Sequence, residues 1–134
     1  MKYKLRTALI TLIIITGWSF TVSAGAIRCT QCGMMVDMDS KFTTRIVQGE
    51  NISYFCDIGD LFAYIQRKGR NNAGAGVRDY GTGEWIDSDK AFYVHDSNKF
   101  KTPMRWGFAA FKDKNTASTF GTPSNFNDTA HSIQ

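Results

Sequence analysis

The stretch Cys29-Thr30-Gln31-Cys32-Gly33-Met34-Met35 places two thiols two residues apart and follows them with two thioethers. Four chemistries use such a pair: haem attachment, thiol–disulfide exchange, zinc binding and copper binding. Haem attachment requires a histidine directly after the second cysteine, and Gly33 stands there. A thioredoxin-like redox pair sits at the start of a helix, whose dipole lowers the thiol pKa. Here glycine, methionine and valine follow, and the pattern starts no helix.

Zinc takes four ligands in tetrahedral array, commonly Cys and His. Cys29, Cys32 and Cys56 with His95 or His131 would supply the count, but the chain has neither a second CxxC nor an HxxxH. Copper(I) is soft and accepts thiolate and thioether ligands. Cys29 and Cys32 can provide two thiolates from one tight turn, which Gly33 allows without a Cβ penalty, and Met34 or Met35 can reach the same point. Copper(I) therefore suits the residue types best, with zinc and disulfide exchange as alternatives. Met104, after Thr102-Pro103, lies in an expected loop. Cys56, at the end of an apolar strand, reads as a small buried hydrophobe. His95 reads as a surface histidine.

The residues ahead of the motif read as an export signal. Lys2, Lys4 and Arg6 precede an apolar run beginning at Ala8, and Val22-Ser23-Ala24 offers a small-residue cleavage site after Ala24. The run is short against the ~20 residues of a membrane span. Arg28 precedes Cys29 where a lipoprotein signal would place a small residue, so no lipid anchor is expected. Loss of the leader lowers the net charge from +4 to near +1, which removes any general attraction to nucleic acid or membranes. Export also places three cysteines, an odd number, where disulfides can persist. No Ser–His–Asp set, phosphate loop or carboxylate pair suggests an enzyme.

The positioning elements follow from periodicity. Lys41–Val47 alternates and is β-branched, with Phe42, Thr44 and Ile46 on one face; Ile52–Phe55 returns after the turn at Gly49-Glu50-Asn51. Ile58, Leu61, Phe62 and Ile65 form one helical stripe. Asp57 is its N-cap, and Gly69 its left-handed stop. Asn71–Gly76 reads as a flexible link. Glu84-Trp85-Ile86, Lys90–His95 and Trp106–Phe111 read as further strands, and Asp113 as the cap of a short helix ending near Phe120 and Gly121. Strand, Asp cap, helix and Gly stop thus occur twice, which predicts a two-part α+β architecture. The boundaries are a signal peptide at 1–24, one domain at 25–121 and a flexible polar tail at 122–134.

Taken in order, several phrases resemble the NosL family, accessory proteins of nitrous oxide reductase. They are Cys-Thr-Gln-Cys-Gly-Met, Tyr54-Phe55-Cys56-Asp57-Ile58-Gly59-Asp60-Leu61, Arg78–Asp87, Ala91-Phe92-Tyr93-Val94, Thr102-Pro103-Met104 and Gly107-Phe108-Ala109-Ala110-Phe111. The resemblance covers Arg28 to Gly121. It implies two small homologous ββαβ units in one domain, and an exported, non-enzymatic carrier of copper(I). It also implies that the metal ligands are Cys29, Cys32 and Met34, with Met104 as a further candidate. The implied partners are nitrous oxide reductase, its copper-loading transporter machinery or a similar cuproenzyme, and the implied location is the periplasm. Many members of the family are lipoproteins; Arg28 departs from that pattern and leaves Cys29 free for metal.

Overall fold

The structure, a computed structural model, describes residues 25–133; the expected leader lies outside the described residues. β1 (Thr44–Gln48) and β2 (Asn51–Phe55) form an antiparallel hairpin in register from Thr44–Phe55 to Gln48–Asn51. Gly49 turns the chain at φ +59°, in the left-handed region that glycine enters without steric cost.

α1 (Ile58–Lys68) begins where the sequence predicts. Asp57 caps it by accepting from the Gly59 N–H, and the Gly69 N–H donates to the Ile65 carbonyl at its end. Ile58, Leu61 and Phe62 are wholly buried, so the apolar stripe is the face that packs inward.

β3 (Gly74–Arg78) pairs antiparallel with β1, and β4 (Trp85–Asp87) with β3, giving a sheet of order β2-β1-β3-β4. The expected flexible link at Asn71–Gly76 therefore gives way to a strand from Gly74 onward. A tight turn with Asn71 and Asn72 at positive φ delivers the chain to it. At Gly76 glycine fits because Arg45 and Trp85 lie across it: a Cβ would sit 3.2 Å from Arg45 Nε and 3.4 Å from the Trp85 ring.

The second half echoes the first. β5 (Phe92–His95) and β6 (Phe108–Phe111) form an antiparallel pair, followed by α2 (Lys114–Ser118), which Asp113 caps. Where the first unit returns with β3 beside β1, the second returns with Ser124 alone. Its N–H and carbonyl exchange hydrogen bonds with Tyr93, both 2.8 Å. The architecture is thus α+β with antiparallel sheets: one full ββαβ unit and one whose last strand is reduced to a single bridge.

The polar C-terminal stretch expected to be flexible instead contains α3 (Phe126–Ser132). Asn125 caps it, and its apolar residues pack inward: Phe126 lies 4.9 Å from Phe62 and Ile133 is buried. Three well-placed groups, a cap and two hydrophobes, suffice to dock a helix that is otherwise polar.

The halves share one core. Phe62 of α1 meets Tyr93 of β5 and Phe108 of β6 at ring separations of 5.3 and 6.4 Å. Asp79, just past β3, joins the two sheets: its carboxylate accepts from the Lys112 N–H at 2.8 Å, while the Tyr80 N–H donates to the Ala110 carbonyl at 2.7 Å.

Candidate metal centre

The CxxC stretch is the turn of a small hairpin. The Cys29 N–H donates to the Met34 carbonyl at 2.7 Å and the Gly33 N–H to the Cys29 carbonyl at 2.9 Å, with Gly33 at φ +76°. The Thr30 N–H donates to the Tyr54 carbonyl at 2.9 Å. That bond fastens the hairpin to the outer edge of β2, where Phe55 runs directly into Cys56 and α1.

Two separate stretches thereby converge. The sulfurs of Cys29, Cys32 and Cys56 and one Asp60 carboxylate oxygen all lie within 4.8 Å of one another. The Cys29 thiol donates to Asp60 Oδ2 at 3.3 Å and the Cys56 thiol to the same oxygen at 3.5 Å. Cys32 Sγ lies 3.4 Å from Cys56 Sγ, and the Cys32 N–H donates to Cys29 Sγ at 3.5 Å. Cys29, Cys56 and Asp60 are no more than 3% exposed, whereas Cys32 is half-buried and forms the open side of the group.

Burial also sets the charge. It is the main force pushing the Cys32 thiol up to about 11. It pushes the Cys56 thiol up as well, aided by Cys32 and by the neighbouring Cys29 and Asp60. These sulfurs hold their protons near neutral pH, and only a cation with affinity for thiolate would displace them. A bound thiophilic cation would hold Cys32 and Cys56 as thiolates.

The loop Thr102–Gly107 closes over the first turn of α1. The Met104 N–H donates to Asp57 Oδ2 at 3.0 Å, and the Trp106 indole N–H to Asp60 Oδ1 at 3.0 Å. The loop is firmly shaped: the Gly107 N–H bonds the Thr102 hydroxyl at 3.1 Å, and Gly107 holds φ +72°. A Cβ there would stand 2.6 Å from the Ser97 backbone, so glycine is required.

Of the four ligands that the family resemblance implies, Cys29 and Cys32 enter the cluster directly. Met34 continues the same turn and is 47% exposed; Met104 is docked beside Cys56 through Asp57 and is 39% exposed. Cys56, read from sequence as a buried hydrophobe, is buried but as a member of the thiol group. Asp60 reads from sequence only as a favourable charge in the first turn of a helix. The signal that could have linked them is the Cys56-x-x-x-Asp60 spacing at a helix start, together with an odd cysteine left over from CxxC. Neither histidine joins: His95 stacks on Phe108 at 4.6 Å, and His131 is exposed on α3. The group that the fold places with Cys29, Cys32 and Cys56 is thus Asp60, where the zinc alternative would need a histidine.

A search of curated proteins finds no match. Among solved structures, the chain is similar in fold to the copper chaperone NosL from Shewanella denitrificans, with a TM-score of 0.64 and 20% identity. The match covers 78% of this chain and 93% of that one. The NosL family model matches residues 21–125, a span that holds the CxxC turn, Cys56, Asp60 and the Met104 loop. The chain belongs to the NosL family.

Proposed function

We propose that this chain is a copper(I) carrier and not an enzyme. It takes the ion as cargo on Cys29 and Cys32 and passes it on by ligand exchange. The observation that carries this reading is the convergence of three thiols on one point, 4.8 Å across, in a member of this family. Thiolate is the ligand that copper(I) prefers. Cys32 on the open side gives an incoming partner a sulfur to displace first.

Met34 and Met104 complete the proposed shell. Met34 follows the CxxC turn, the Met104 backbone bonds Asp57 and both side chains are exposed; a thioether adds a soft donor without adding charge, which suits a site that must also release its ion. The proposed clients are nitrous oxide reductase, its copper-loading transporter machinery or a similar cuproenzyme. The proposed setting is the periplasm, after removal of residues 1–24. Among the described residues no helix is long and apolar enough to cross a membrane.

The test is titration of the reduced chain from residue 25 with copper(I) against a chromophoric competitor. Binding of about one ion per chain is expected from the single donor group, and its loss in the Cys29→Ser/Cys32→Ser variant. Unchanged tight binding in that variant would sink the site.

One observation favours a second reading. A carboxylate beside three thiols is also a tetrahedral set for zinc. Zinc that copurifies stoichiometrically, and whose chelation unfolds the chain, would select structural zinc over copper cargo.

A further inference from the structure

Asp60 is a buried carboxylate whose two oxygens face different partners. Oδ2 accepts from the Cys29 and Cys56 thiols, at 3.3 and 3.5 Å. Oδ1 accepts from the Trp106 indole N–H at 3.0 Å. The indole reaches this position because Gly59 has no side chain: a Cβ there would lie 1.9 Å from Trp106 Cγ. Trp106 itself stands in a loop held by Met104 on Asp57 and by Gly107 on Thr102. The indole is thus a rigid donor, seated from the far side of the helix turn that bears Asp60.

We propose that Trp106 is a positioning residue of the metal centre. Its N–H fixes the Asp60 carboxylate with Oδ2 turned toward Cys29 and Cys56, and so sets where those sulfurs point when a thiophilic ion enters. The inference rests on the reading of the cluster as a metal site. It assigns Trp106 no contact with the ion; the residue acts through Asp60.

Without the indole donor, the carboxylate can rotate about its χ2 bond, a broad two-fold torsion, and turn its oxygens away from the thiols. A hydrogen bond to a charged group is among the stronger neutral–ionic contacts, so its loss is felt at the sulfurs.

The experiment is a double-mutant cycle on the reduced chain from residue 25, using Trp106→Phe, Asp60→Asn and the double variant. Phenylalanine keeps an aromatic ring over Gly59 and removes the N–H together with part of the ring system, a loss of packing that the melting temperature reads separately. Copper(I) affinity is read by competition; cadmium(II) affinity and the sulfur-to-cadmium charge-transfer band are read in parallel. Trp106→Phe is expected to weaken binding by about tenfold and to alter the band. Asp60→Asn should weaken it as well, and the double variant no further, because both substitutions remove one interaction.

Wild-type affinity in Trp106→Phe, or losses that multiply in the double variant, would overturn the proposal. A general packing role for Trp106 would lower the melting temperature and give such independent losses. Wild-type protein that binds cadmium(II) but not copper(I) overturns the copper reading alone, and the cycle in cadmium(II) still decides the role of Trp106. Wild-type protein that binds neither ion overturns both.

Discussion

Cys32 Sγ stands 3.4 Å from Cys56 Sγ, across a gap of 24 residues in sequence, while Cys29 turns its thiol to Asp60. The two sulfurs in direct hydrogen-bond contact are thus those of Cys32 and Cys56. Mild oxidation of the metal-free protein with glutathione disulfide is expected to join Cys32 to Cys56, the two thiols losing their protons and two electrons to the reagent. Peptide mapping should find Cys29 free. In the chain-entropy model such a loop stabilises by about 3 to 4 kcal/mol, so the oxidised form should melt higher and bind no copper. A Cys29–Cys32 bridge as the main product would contradict this geometry.

Cys56 and Asp60 can be separated by substitution. Cys56→Ser is expected to weaken copper(I) binding by about tenfold or more, since it removes a soft donor from the centre of the group. Cys56→Ala tests the simpler role of a buried hydrophobe. Retained affinity with a lower melting temperature in that variant would return Cys56 to packing.

Asp79 is expected to contribute to acid stability. Burial by itself would raise its carboxyl, but the Lys112 and Thr82 N–H groups and the Thr82 hydroxyl together hold it below the ordinary value of 3.8. A depressed folded pKa means the stabilisation is full above the unfolded value and is lost as pH falls through the folded one. Asp79→Ala is expected to cost about 1–2 kcal/mol near neutral pH, because the half-buried Lys112 and Thr82 N–H groups lose their acceptor. Melting curves of wild type and variant should converge as pH drops below about 4. A gap that persists into strong acid would assign the effect to packing.

Gly59→Ala adds one methyl where Trp106 already lies. Overpacking of this kind typically costs about 1–3 kcal/mol, and here it should also displace the indole from Asp60. The expected outcome is a lower melting temperature with a shift in tryptophan emission, read in Trp85→Phe of the chain from residue 25, which also lacks Trp18, to isolate Trp106. Unchanged emission would mean that the loop absorbs the methyl without moving the ring.

Much of the scaffold is legible from residue order because its causes are local. Asp57, the Ile58–Leu61–Phe62 stripe and Gly69 define α1 through capping, periodicity and a left-handed stop, each written within a few residues. Asp113 does the same for α2. β3 was not legible, since Gly74, Ala75 and Gly76 have poor intrinsic strand propensity. What makes them a strand is pairing with β1 and the Arg45 side chain lying 4.1 Å over the Trp85 ring above Gly76. Likewise α3 depends on where Phe126 and Ile133 find a surface to cover.

The sequence by itself determined the soft-donor motif at Cys29–Cys32, the exclusion of haem through Gly33, and the capped helix that follows Cys56, because spacing and backbone freedom are properties of neighbouring residues. Only the tertiary structure decided that Cys56 and Asp60 complete the group, that neither histidine does, and that Trp106 holds the carboxylate. Those facts depend on the hydrogen bonds from Thr30 to the edge of β2 and from Arg67 to Gln31, and on a loop laid across Gly59. The contacts join residues far apart in the chain, and proximity of that kind exists only once the chain has folded.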